Sequence, residues 1–403
     1  MTRPPRTTPP HAGFTLVELL VVILIVAILV ALLVPAISAA VRAANNARVS
    51  AEFTNLQTAL ADWKSNYGEY PPSRIILHNN GNYDPSLTGP IPGSGAGDIS
   101  IGDLNSRTAR AMKKFFPRAG GYFSTSGSPG LAFPWDQVPL NPSSFGTINP
   151  NYYVILQGHE CLAFFLGGMP SVLLNTTTSP PEVISVTMTG FSKDPTNPFM
   201  PQSIAPNRTS PLFEFAPGRL QDIFNYPAPI GSPPGVANGF PSYVDPLSSS
   251  TNPRLYAYFS AYGNNGYDPN DDNSAFYGNL AGNNTQGTVE LDDAQDSTPF
   301  ARFFYTTNVV IPLTAGANHA AFSGAPNPYT NSDPTIPKSG WVNPQSFQLI
   351  SSGGDGLWGL GGGYEANAPN TKLPLYNDPS NSFYTTRVRE RDNITNFSGG
   401  KLE

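Results

Sequence analysis

Residues 19–34 are sixteen consecutive apolar residues, and from Phe14 to Val34 only Thr15 and Glu18 interrupt an apolar stretch of 21. A helix apolar on every side has no polar face to offer water, so it belongs in lipid or among other apolar helices. About 20 residues at 1.5 Å each cover the ~30 Å hydrocarbon core of a bilayer, so the stretch is long enough to span one. The commonest segment of this kind near an N-terminus is a secretory signal peptide, for which Arg3 and Arg6 supply a positive n-region and Ser38-Ala39-Ala40 a small-residue cleavage site. Two features resist that reading. The run exceeds the ~7–15 residues of an ordinary h-region, and an acid, Glu18, stands inside its first turns.

A carboxylate inside a bilayer costs on the order of 2.5–3.5 kcal/mol, so such a group needs a partner or a function. A cut between Gly13 and Phe14 would create an α-amino group four residues before Glu18, and the same amine of a neighbouring copy could pair with the acid as a registry device. The run Gly13-Phe14-Thr15-Leu16-Val17-Glu18, followed by an apolar helix with Pro35 near its end, resembles the N-terminus of type IV prepilins and type II secretion pseudopilins. That resemblance implies a leader of residues 1–13, removed after Gly13 by the membrane aspartic protease prepilin peptidase. It implies Phe14 as the N-methylated terminus and Glu18 as the assembly glutamate.

Beyond the membrane-length run, Val49, Phe53, Leu56, Leu60, Trp63 and Tyr67 recur at spacings of 4, 3, 4, 3 and 4, one stripe along a continuing helix. Arg48, Glu52, Asp62 and Lys64 are expected on its other faces. Pro35 is expected to kink or loosen the helix by removing a backbone donor, and Gly68 with Pro71-Pro72 to stop it. The resulting element would be about 80 Å long, its first half apolar all round and its second half apolar on one side. The first half then belongs in lipid or among sister helices, and the second carries a head.

Outside this helix, composition limits the choices. With 38 Gly and 43 Pro, and only 12% charged residues against about 25% in an average soluble domain, helix is not the dominant structure. Lys and Arg number 22 against 28 Asp and Glu, a net charge of −6 that leaves no overall basic field for nucleic acid. The lone Cys161 excludes an internal disulfide, and no Cys/His cluster has zinc spacing.

Residues 73–147 read as loop, broken by one short helix from Asp103 to Phe116 that Pro117 ends. Tyr152–Leu156 reads as a buried strand, Glu160–Leu166 as a short apolar helix closed by Gly167-Gly168, and Val183–Thr189 and Leu255–Tyr262 as strands. The Asn/Asp/Gly-rich stretch 263–297 has little apolar area and is expected as a mobile surface loop. Phe303–Val310 and Gln345–Ser351 read as strands, the latter followed by a Ser352-Gly353-Gly354-Asp355-Gly356 turn and the apolar Leu357-Trp358-Gly359-Leu360. The strand, this turn and the closing Asp392-Asn393-Ile394-Thr395-Asn396 are similar to the end of a major pseudopilin head, as Trp63–Pro72 is to its helix exit. The resemblance implies an α+β, pilin-like fold, a long N-terminal helix packed on an antiparallel sheet. Its divisions would be 1–13 leader, 14–40 membrane and assembly half-helix, 41–72 amphipathic half-helix, 73–344 an enlarged loop-rich head, and 345–403 the C-terminal strand and loop.

Major pseudopilins often hold calcium in the C-terminal loop, and Asp355, Asp378, Asp392 and Asn393 are the oxygen donors that the resemblance offers for it here. Asp268-x-Asn270-x-Asp272 imitates the opening of an EF-hand, but Asn273 replaces the required glycine and Asn279 the bidentate glutamate, so it reads as a polar loop. In His159-Glu160-Cys161 adjacent helical residues point apart, and Cys161 reads as a small core residue rather than a nucleophile. His78 and His319 fall in unrelated loops, Asp292-Asp293 reads as turn chemistry, and no catalytic motif emerges. Asn207-Arg208-Thr209 and Asn393-Ile394-Thr395 match glycosylation acceptors too common by chance to carry function.

The expectation is thus a non-enzymatic filament subunit. It is a single-pass inner-membrane protein with its head periplasmic or extracellular, and it assembles with copies of itself and with minor pilin-like subunits. Prepilin peptidase, the inner-membrane assembly machinery and the membrane are its partners, and nucleic acid is not. The C-terminal resemblance favours a type II secretion pseudopilus over a motility or adhesion pilus. The competing reading is a secreted enzyme or carbohydrate-binding β protein released from a conventional signal peptide.

Overall fold

The computed structural model describes residues 16–89, 99–135, 148, 150–175, 182–221, 240–248, 254–262, 266–268, 271, 327–331, 341–354, 356, 358, 361–364, 366, 373, 390–398 and 401–402. Its first element, α1, runs from Leu16 to Tyr67. Contacts divide the chain between Ala47 and Arg48.

In the first unit every large apolar side chain from Leu16 to Val41 is exposed, by 46% to 77%. The helix runs through Pro35 without a break. The proline withdraws the donor that the Ala31 carbonyl would receive, while one residue earlier in the chain the Val34 carbonyl accepts an extra bond from Ser38 Oγ at 2.9 Å. One hydrogen bond is lost, and the helix continues.

In the second unit the expected stripe is inside. Val49, Phe53, Leu56, Ala59, Leu60 and Trp63 are buried, and Tyr67 packs against them at the core's edge. Gly68 ends the helix with φ +83°, its N–H donating to Lys64 O at 2.7 Å. That left-handed cap favours glycine because a Cβ would strain it.

The stripe is covered by two helices and a sheet. Helix α2 (Ile101–Phe115) starts at Ser100, whose hydroxyl caps Asp103 N while the Asp103 carboxylate reaches back to Ser100 N. The start therefore falls two residues ahead of the expected Asp103. Helix α3 (Gly158–Gly167) is fully buried, and Phe115 and Phe165 meet Trp63 edge-on at 5.2 and 5.3 Å. Strand β7 (Tyr256–Ser260) pairs antiparallel with β9 (Phe347–Ser351), and β9 with β11 (Ile394–Thr395). Strand alternation gives this sheet two buried faces. Tyr256, Tyr258, Phe347, Leu349 and Ile394 join the core that contains the α1 stripe. Ala257, Phe259 and Ile350 join a second cluster with Tyr329, Trp358, Tyr364, Leu373 and Leu402.

Smaller pairs complete the described head. They are β1 (Ile75–His78) with β2 (Tyr153–Leu156), β3 (Pro170–Asn175) with β4 (Glu182–Met188), β5 (Leu220–Gln221) with β6 (Ser242–Tyr243), and the parallel pair β8 (Asn327–Asn331) with β10 (Gly361–Tyr364). The fold is mixed α+β, a long N-terminal helix followed by small, mostly antiparallel sheets, as expected of a pilin-like chain.

Strand β1 corrects the reading of 73–147 as loop with one helix. Ile75-Ile76-Leu77 is too short to declare a period, and pairing with β2 makes it a strand that carries His78. Residues 263–297 were expected as a mobile surface loop, yet the described Tyr267 and Asp271 within them are buried. The expected strand Phe303–Val310, together with His319 and Asp292-Asp293, lies outside the described residues.

Because Trp63 sits where α1, α2 and α3 meet, Trp63→Ala is expected to lower stability by about 3–5 kcal/mol, read as a shifted urea midpoint of the detergent-solubilised chain.

Candidate functional site

The assembly residues begin with Glu18, which lies in the first turn of α1, where an acid is favoured by the partial positive charge of the helix N-terminus. Gly13 and Phe14 lie outside the described residues. After Glu18 the exposed apolar face continues without a charged residue to Arg42. By length and composition α1 can cross a membrane.

With that geometry in place, comparison with known families finds the prokaryotic N-terminal methylation motif at residues 9–34. Neither the curated proteins nor the solved structures gave a match. The motif is typical of type IV pilins and pseudopilins, and it makes this N-terminus that of a pilin-like precursor of the kind prepilin peptidase processes. The motif overlaps α1, the one membrane-length apolar helix among the described residues, an arrangement consistent with membrane anchoring.

The head is fastened to the lower α1 stripe by a residue expected on the solvent side. Glu52 is largely buried, and its carboxylate accepts two bonds from Arg219, at 2.6 and 2.7 Å, one from Tyr243 OH at 2.8 Å and one from Tyr256 OH. The Arg219 guanidinium also lies over the Tyr243 ring at 4.3 Å. Burial works against the Arg219 charge, but the Glu52 carboxylate outweighs it and holds the guanidinium above its ordinary pKa. A signal for this position existed. Glu52 lies three residues after Val49 and four before Leu56, so helical geometry places it at the edge of the apolar stripe.

A second polar chain leads from there to the C-terminal turn. Buried Asp245 accepts from Ser351 Oγ at 2.9 Å and Leu247 N at 2.8 Å, and desolvation raises its pKa to about 6. Arg254 Nη1 donates to Gly353 O at 2.6 Å and Gly354 O at 3.0 Å. Gly353 has φ +63°, and a Cβ there would come 2.0 Å from Asp392 O, so only glycine fits the crossing.

Of the residues expected around calcium, Asp355 and Asp378 lie outside the described set. Asp392 and Asn393 do adjoin the glycine turn, and the side-chain amide of the fully buried Asn393 has no hydrogen-bond partner among the described residues. Calcium takes six to eight oxygens. Here the two turn carbonyls face the Arg254 cation, and no group of three or more His, Cys, Asp or Glu is placed to hold a metal among the described residues. The described part of this site therefore does not by itself fit the ion.

The remaining candidates have structural surroundings. Cys161 is fully buried in the core, its thiol near Leu156 O at 3.5 Å, and the Glu160 carboxylate caps α3 by accepting from Gln157 N at 2.9 Å. His78 Nε2 lies 2.8 Å from Asn105 Oδ1, and burial lowers its pKa. Asn105 gives its own amide hydrogen to Asp84 O, so the imidazole donates in that bond. Asn393 of the second glycosylation match is buried, and Arg208 of the first is spent on the carbonyls of Thr189, Gly190 and Met200.

Asp268 and Asp271, expected in a plain polar loop, belong to a buried cluster. Asp268 pairs with Arg107 at 3.1 Å, Ser73 Oγ donates to Asp271 Oδ2 at 2.7 Å, and the Arg107 guanidinium lies over the Tyr262 ring at 4.6 Å. Desolvation, with the like charge of Asp268 behind it, raises the Asp271 pKa to about 8 despite the nearby arginines Arg74 and Arg107.

A folded-state pKa above the ordinary 3.8 means that the native state binds a proton the unfolded chain has released, so stability falls as pH rises from about 4 to about 8. Asp271→Asn should flatten that fall above pH 6 and leave the part below pH 6 that Asp245 contributes, as read from urea midpoints against pH. An unchanged slope between pH 6 and 8 would show that Asp271 does not titrate there. Glu52→Ala strands the Arg219 cation and is expected to cost about 3–5 kcal/mol in the same assay.

Proposed function

We propose that the chain is a structural subunit of a type II secretion pseudopilus or a closely related pilus-like filament, matured by cleavage after Gly13 and N-methylation of Phe14. The observation that carries this reading is the methylation motif at residues 9–34, which overlaps an exposed apolar face that runs from Leu16 to Val41.

The proposed sequence of events follows from the chemistry of that face. Before assembly, α1 holds the subunit in the inner membrane as a single span, with the head on the periplasmic side. Cleavage frees the Phe14 amine. On extraction by the inner-membrane assembly machinery, the exposed apolar sides pack on one another; each Å² of apolar surface kept from water contributes on the order of 25 cal/mol, whereas exchanging lipid for a sister helix brings no such gain. This attraction has no direction of its own. Glu18 supplies the register, because a carboxylate inside an apolar bundle is further stabilised where a neighbour's Phe14 amine reaches it. Contacts of this head-to-tail kind do not close on themselves, so they yield a fibre of copies, with minor pilin-like subunits sharing the same N-terminal device.

Mass spectrometry of the native mature protein tests the first step, with N-methyl-Phe14 as the expected terminus. A terminus near Val41 would instead indicate a conventional signal peptidase and a released protein. Glu18→Ala tests the second: the variant should be cleaved normally yet enter sheared fibres at least about tenfold less often, the equivalent of ~1.4 kcal/mol per contact. Equal fibre yield would remove the register role.

A further inference from the structure

Although the whole chain carries a net charge of −6, residues 104–135 contain Arg107, Arg110, Lys113, Lys114 and Arg118 and no Asp or Glu, which leaves 17 basic against 28 acidic residues elsewhere. All five cations lie on α2 or on the 3-10 turn Pro117–Tyr122 that follows it. Two are neutralised within the chain, Arg107 by Asp268 at 3.1 Å and Lys114 by Glu69 at 2.9 Å. Arg110, Lys113 and Arg118 make no ion pair among the described residues; Lys113 reaches only the Thr125 hydroxyl at 3.4 Å.

The simplest role for cations near a helix C-terminus is to oppose its partial negative charge, an effect confined to the last turn. That accounts for Lys113 and Lys114. It does not account for Arg110, which lies earlier in α2, or for Arg118, which lies beyond its end. The platform beneath them is rigid. Ala111, Met112 and Phe115 are buried, and a capping box fixes the start of α2.

We propose that this basic face, formed by Arg110, Lys113 and Arg118, docks on the acidic surface of a second copy of this chain. The inference rests on the filament reading and adds a head-to-head contact to it. Copies that are net acidic repel one another at a distance, so close packing of heads requires opposite patches to meet. Exposed carboxylates are present elsewhere on the described head, among them Asp62 and Glu214. A basic patch on one copy facing an acidic patch on the next, repeated head to tail by a rotation that does not close, extends along a fibre. Such rim charges act mainly through encounter rate and register, so the contact should be salt-sensitive.

The test uses the full-length chain in its assembling host, comparing wild type with the charge reversal Arg110→Glu/Arg118→Glu, which leaves Lys113 at the helix end in place, and the charge-retaining Arg110→Lys/Arg118→Lys. The reversal is expected to be cleaved and membrane-inserted as wild type and to melt at the same temperature, yet to enter sheared fibres about tenfold less. The lysine variant should assemble normally. Wild-type fibres should also shed subunits when salt is raised from about 0.05 to about 0.5 M. Equal incorporation of the reversed variant, or fibres indifferent to salt, overturns the contact while leaving the filament reading in place. Cleaved wild type that forms no fibre at all removes both.

Discussion

The constraint on which everything else depends is the apolar surface of α1 from Leu16 to Val41, which the rest of the described chain does not cover. Roughly half or more of each large side chain there would face water if nothing else were present. Lipid and sister helices are two surroundings that would remove it from water. Within that greasy stretch Glu18 is the only charge, so a bundle of such helices has only one position to read for register.

The head solves a different problem, which is how to hold a Pro- and Gly-rich chain on one side of a helix. Its answer is aromatic and polar together. Trp63, Phe115 and Phe165 lock α1, α2 and α3 edge to face. Glu52 receives Arg219, Tyr243 and Tyr256, which come from three separate stretches of the chain. A carboxylate with that many donors fixes direction as well as contributing stability, since each donor must arrive from its own side. The β7-β9-β11 sheet is then buried on both faces, so that the polar Gln348 and Ser351 within β9 are enclosed together with its apolar residues.

Two of the buried acids, Asp245 and Asp271, each lie where distant segments are joined: Asp245 with Ser351, and Asp271 with Ser73. Both have their protons held more tightly by burial, so the joints they form are sensitive to pH in the same direction. Neither carries an obvious sequence motif, because an isolated aspartate in a loop looks the same whether it is solvated or enclosed.

By itself the sequence determined what depends on neighbours along the chain. The membrane-length run, the Gly13–Glu18 motif, the stripe from Val49 to Tyr67, the stop at Gly68, and the α3 and β9 segments are all local in period or in spacing, and local geometry follows from local residues. Tertiary structure alone decided what depends on partners distant in the chain. Ile75-Ile76-Leu77 became a strand because β2 lay beside it, Glu52 turned inward because Arg219, Tyr243 and Tyr256 met there, and Asp271 was enclosed because Ser73 and Arg107 closed over it. The physical reason is the range of the forces. Helical period and turn preference act over a few residues, whereas burial and pairing are properties of a place in space, to which the chain returns from many points.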